Sequence, residues 1–78
     1  MEKMIVMQIN INNEGWHTVL LTKNTQPLDY MINEVLNYDE FTQIRIGIIF
    51  EDRLVPIDEF DNKKEIKVQD IHKKIAKN

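Results

Sequence analysis

Two histidines, His17 and His72, are the first residues to weigh for chemistry, and they stand far apart in a chain with no cysteine. A zinc site takes three or four ligands, mostly imidazole or thiolate, so neither histidine is expected to bind metal. The run Asp58-Glu59-Phe60-Asp61-Asn62 is acidic enough to suggest calcium. It lacks the alternating acids and the turn glycine of an EF-hand loop, and is expected to be an exposed acidic turn. There is no serine, and Thr18, Thr22, Thr25 and Thr42 fall at strand or cap positions. With Gly15 and Gly47 as the only glycines, neither a P-loop nor a dinucleotide-binding loop can be built. Adjacent carboxylates occur only in stretches expected to be loops, where nothing would drive their pKa values apart. No catalytic residue, cofactor or metal is expected.

Other residue types suit recognition. Trp16 is the sole tryptophan, and Arg45 and Arg53 are the sole arginines. Tryptophan and arginine anchor interfaces more often than their abundance warrants, and arginine's planar fork suits such surfaces better than lysine does. With Ile49 they form the candidate interface: Trp16, Arg45, Ile49 and Arg53. Met4, Val6 and Tyr38 add apolar or aromatic surface that one small core need not absorb. The formal charge of -3 conceals an asymmetry: residues 63–78 net +4 and residues 1–62 net -7. An alternative reading therefore places nucleic acid on the lysine-rich end, with Lys67, Lys73, Lys74 and Lys77 as phosphate contacts. No aromatic residue interleaves with those lysines to stack on bases, and the whole chain is acidic, which weighs against that reading. A second alternative uses the acidic loops, Asp39-Glu40, Glu51-Asp52 and Asp58 to Asp61, to occupy a basic site on a host protein, as small phage inhibitors do.

The elements that must position these residues follow from periodicity. Ile44, Ile46, Ile48 and Phe50 alternate along the most apolar run, Ile44 to Phe50, which predicts a central strand. Met4 to Ile11 alternates as well, with Ile5, Met7, Ile9 and Ile11 on one side and Met4, Val6, Gln8 and Asn10 on a wetter one. Asn12-Asn13-Glu14-Gly15 predicts a turn that leads into a return strand over Trp16 to Thr22. Leu28, Met31, Ile32, Val35 and Leu36 keep helical spacing, which predicts a helix over 27–37 with Pro27 at its first position, Asp29 in its first turn and Asn37 as a left-handed cap. Leu54 to Ile57 predicts a short strand held at a sheet edge by Pro56. Phe60 is expected to tuck inward from the loop that follows.

Two readings of residues 63–77 stay open. In the favoured one Glu65 to Val68 is a last strand and Asp70 caps a short helix with Ile71 and Ile75 facing the body. In the other, Asn62 and Glu65 form a capping box and one helix runs from Lys63 to Lys77. The fold class is α+β, one domain over residues 1–78. The order hairpin, helix, strands resembles the β-grasp arrangement of ubiquitin-like domains over residues 4–68, which implies a mixed sheet; the alternative is a ββαββα sandwich without a fifth strand. The chain ends Ala76-Lys77-Asn78, not in the Gly-Gly tail of a modifier or sulfur carrier, so conjugation is not expected.

At this length one core is all the chain can build, worth about 3–5 kcal/mol. A secreted domain of this size would usually carry disulfides, so a cytoplasmic setting is expected. No apolar run nears the ~20 residues needed to span a membrane. Richness in Ile, Lys and Asn resembles proteins of AT-rich genomes, such as low-GC bacteria and their phages. Together these features predict a small non-enzymatic protein-interaction module with an unidentified protein partner or a second copy of itself, nucleic acid being the less favoured partner.

Overall fold

Alternating apolar residues build the sheet. The computed structural model describes residues 3–37 and 40–78. It runs β1 (Met4–Ile11), β2 (Trp16–Thr22), α1 (Thr25–Leu36), β3 (Phe41–Phe50), β4 (Arg53–Phe60), a 3-10 turn at Lys63–Glu65 and α2 (Val68–Lys77). The strands form one sheet in the order β2-β1-β3-β4, antiparallel at every ladder. On its inner face Ile5, Met7 and Ile9 of β1 sit opposite Ile48, Ile46 and Ile44 of β3. Leu28, Ile32 and Val35 of α1 and Ile71 of α2 pack onto that row, and Phe60 joins it as the expected anchor. Burying such side chains yields about 1.5–3 kcal/mol each, so this layer is where the stability lies. Both helices cover the same face.

Turns follow the residues that tolerate them. Asn12 and Asn13 take left-handed φ values of 54° and 58° and Gly15 one of 111°, as the β1–β2 turn requires. Between β3 and β4, Glu51 and Asp52 take φ of 53° and 61° in a two-residue turn. That geometry matches the twist of the strands, although neither residue is the asparagine or glycine that adopts it most easily.

Several expectations are corrected. α1 begins at Thr25, two residues early, so Pro27 is its third residue, still within the stretch whose N–H groups have no partner inside the helix. No acid lies in its first turn, and Asp29 reaches α2 instead: it accepts a 2.6 Å hydrogen bond from His72. His72 is thus a half-buried bridge between the helices. Asn37 ends α1 in right-handed geometry, φ -85°, and its N–H reaches the carbonyls of Glu34 and Val35. β4 is longer than Leu54 to Ile57, and absorbs much of the stretch expected as a loop, because the Ile44 to Arg45 part of β3 supplies partners for Phe60 and Glu59. Pro56 does lie in an edge strand.

The fifth strand does not form. Asn62 closes the 3-10 turn instead: its side-chain oxygen accepts from the Lys64 N–H at 2.9 Å and its carbonyl from the Glu65 N–H at 3.0 Å. The single long helix does not form either, since α2 starts only at Val68. Ile66 lies in the link before α2 and Val68 opens the helix, and both pack against the core. The four-stranded antiparallel sheet with two helices has the ββαββα order, and the mixed sheet implied by a β-grasp is not seen among the described residues. Tyr38 and Asp39 lie outside the described residues.

Candidate functional site

The face of the sheet turned away from the helices is the surface to examine. Register places its residues in four rows across the strands. At one end Trp16, Asn10 and Gln43 lie side by side, with Asp61 just beyond β4. Thr18, Gln8, Arg45 and Glu59 form the next row. Leu21, Val6, Gly47 and Pro56 form the third. Met4, Ile49 and Leu54 close the face. Two rows are polar and two apolar, so the face is divided along the strand direction.

The polar half is wired across the strands. Thr18 Oγ1 accepts from Gln8 Nε2 at 2.9 Å, and Gln8 Oε1 accepts from Arg45 Nε at 2.7 Å. Asn10 Nδ2 donates to Gln43 Oε1 at 3.0 Å, and Gln43 Nε2 donates to Asp61 Oδ1 at 2.8 Å. Asn10, only 8% exposed, also accepts the Gly15 N–H, which ties the hairpin turn to the same network. Arg45 leans away from its neighbour Glu59 and crosses β1, so that its guanidinium carbon lies 4.1 Å from the centre of the Trp16 ring. Such a stacked cation contributes about 0.5–1 kcal/mol at an exposed site. More to the point, it holds two large side chains in one geometry before any partner arrives, which lowers the entropy cost of binding.

The apolar half is open. Leu21 is 54% and Leu54 51% exposed. Gly47 forms the floor between them and is itself buried. A Cβ there would come within 2.8 Å of Leu54 Cδ1 and 2.9 Å of the Val55 carbonyl oxygen. Beside it lies a hollow of about 280 Å³ lined by Arg45, Ile46, Gly47, Leu54, Pro56 and Glu59.

Of the four expected interface residues, Trp16 and Arg45 are brought into contact. Ile49 shares their face but lies in the apolar end; it is not covered by α2. Arg53 is elsewhere: it pairs with Phe50, whose place in the alternation of β3 takes both to the helix side. Sequence reasoning did not link Gln8, Asn10 and Gln43 to Arg45, nor Glu59 and Asp61 to the same surface. The signal was present as polar residues on the outer face of both Met4 to Ile11 and Gln43 to Arg45, which an antiparallel pairing brings level.

The lysines do not form one basic surface. Lys74 pairs with Asp58 at 2.5 Å, and Lys64, Lys67 and Lys74 share a hollow of about 430 Å³ with Asp58, Glu65 and Asp70. Lys73 and Lys77 are exposed one helical turn apart. The His72–Asp29 pair has no serine or cysteine anywhere in the chain to activate. Among the described residues no group of three or more His, Cys, Asp or Glu could hold a metal ion, and no helix is long and apolar enough to cross a membrane. Set beside known proteins, the chain matches no family model, no curated protein and no solved structure.

Proposed function

We propose that this chain is a small non-enzymatic protein-interaction module whose binding surface is the open face of its sheet. One observation carries the reading: both helices pack on one side of the sheet, and the other side holds a preorganised Trp16–Arg45 stack next to an uncovered apolar patch around Leu21, Ile49 and Leu54. Interfaces join such anchors to apolar surface. A cytoplasmic setting, in a low-GC bacterium or its phage, fits a domain of this size that holds together without cysteine. Nucleic acid is the weaker alternative, because Lys64, Lys67 and Lys74 face Asp58, Glu65 and Asp70 around one hollow and Lys74 is paired with Asp58. Docking of the acidic loops on a basic protein is weaker too, since Asp58 is already paired with Lys74 within the chain.

Affinity capture with tagged protein from a low-GC bacterial lysate, with and without nuclease, tests the reading. A stoichiometric protein is expected that survives nuclease and is lost with Leu21→Asp or Ile49→Asp, both variants being checked for folding by circular dichroism. Recovery of nucleic acid, or of proteins only through it, overturns the reading and promotes Lys67, Lys73, Lys74 and Lys77.

A further inference from the structure

We infer that the partner of the open face is a second copy of this chain, docked face to face about a two-fold axis that runs parallel to the strands between β1 and β3. The inference rests on the open face being the binding surface and deepens it by naming the occupant.

Three observations lead there. First, the polar and apolar halves are divided along the strand direction. Only an axis parallel to the strands sets polar rows against polar rows and apolar rows against apolar rows; an axis across the strands in the plane of the interface would press Arg45 onto the apolar half. Second, the two lateral edges of the polar half carry opposite charge. Arg45 leans over β1 to Trp16 on the β2 side, whereas Glu59 and Asp61 stand on the β4 side. In the order β2-β1-β3-β4 a two-fold between the central strands lays β2 on β4 of the other copy and β1 on its β3. The Arg45–Trp16 stack of each copy then meets Glu59 and Asp61 of the other, twice per dimer, as an isologous interface requires. Third, the apolar relief is self-complementary under the same axis. Leu21, exposed, lies over Pro56 beside the hollow, and Met4 lies over Ile49.

The size is adequate for a reversible dimer. Four strands at ~4.8 Å spacing and about eight residues at ~3.3 Å give a face of roughly 500 Å². Two such faces bury roughly 1,000 Å², at the lower end of specific interfaces. Stacked sheets with strands aligned to within about 30° are a standard packing, and twist alone supplies that angle.

Sedimentation velocity on the whole chain between about 1 μM and 500 μM tests the inference. The expected result is a mass that rises from 9.3 kDa towards twice that value with concentration. Leu21→Glu and Glu59→Arg, both at exposed positions, are expected to keep the fold by circular dichroism and to weaken association by about tenfold or more, equivalent to about 1.4 kcal/mol. Arg45→Glu, which sets an acid against Glu59 of the other copy, is expected to be monomeric, and mixing it with Glu59→Arg restores a one-to-one dimer, because position 45 of each copy then faces a residue 59 of opposite sign. Should Arg45→Glu fail to fold, the Leu21→Glu and Glu59→Arg results decide the matter alone. A chain that stays at 9.3 kDa throughout, or a dimer untouched by Leu21→Glu and Glu59→Arg, overturns the inference. A strictly monomeric chain that still captures a different protein, and loses it with Leu21→Asp, sinks the second copy while sparing the open face as a binding surface.

Discussion

Gly47 and Asn10 show how much a single position on the open face controls. Gly47 is a glycine for reasons of space: the Val55 carbonyl oxygen, 2.9 Å from where a Cβ would sit, belongs to the backbone of the adjoining strand and cannot swing aside as Leu54 can. Gly47→Ala is therefore expected to destabilise the domain by about 1–3 kcal/mol through a forced backbone shift, read as a lower urea midpoint at unchanged slope. Asn10 is almost wholly buried and serves both Gln43 and the Gly15 N–H. Asn10→Ala leaves those groups without their partner and should cost about 1–3 kcal/mol. An amide-exchange comparison locates the loss: Gly15 should become the most altered amide in the β1–β2 turn. Neither role was legible from residue type alone. Asn10 reads as a wet-face strand residue, and Gly47 only as one of two glycines, because both roles depend on what an adjacent strand supplies.

Elements divide into those that local pattern determines and those that context decides. The hairpin, α1 and β3 were legible because each carries several periods of its own alternation, and an asparagine pair followed by glycine has few other uses. The segment after Phe60 was not. Four residues, Glu65 to Val68, alternate too briefly to separate strand from the approach to a helix, and Ile66 and Val68 reach the core from the link and from the first residue of α2. α1 was read two residues short because proline was given the first helical position, when any residue of the first turn can lack its N–H. The β3–β4 turn offers the cleanest element-scale test. Glu51 and Asp52 both hold left-handed φ, which costs less for asparagine and glycine. Replacing them together, Glu51→Asn with Asp52→Gly, is expected to stabilise the domain by about 1 kcal/mol, or roughly 4–8 °C in Tm by calorimetry. Inserting β-branched residues at the same two positions should do the reverse.

At the scale of the molecule, one thin two-layer domain relies on a second helix that touches the rest at few points. α2 contributes Ile71, fully buried, with Val68 and Ile75 against the core, and is fastened by His72–Asp29 to α1 and by Lys74–Asp58 to β4. These two polar contacts are partly exposed and add little; the apolar contact is what counts. Ile71→Ala should cost about 2–5 kcal/mol, comparable with the whole stability of a core this size, and is expected to replace a cooperative thermal transition with a broad one. The α+β class and the one-domain length were legible from the sequence; the exposed apolar surface was less so, since Val6, expected to add to it, is buried and Leu21, exposed, was not foreseen. The location of that surface was not, because it required knowing that both helices choose the same side.

The sheet's two outer strands bear on assembly in a different way. β2 and β4 each carry a bulge, at Val19 and Ile57 where the register slips, and β4 also carries Pro56 with no N–H to offer. A broken, kinked border of this kind is a poor template for another strand, so edge-to-edge growth is blocked at both ends. The two-fold contact inferred for the flat side would use up the surface that made it, so association through it would stop at the dimer. Edge-to-edge stacking into fibrils is expected to be disfavoured.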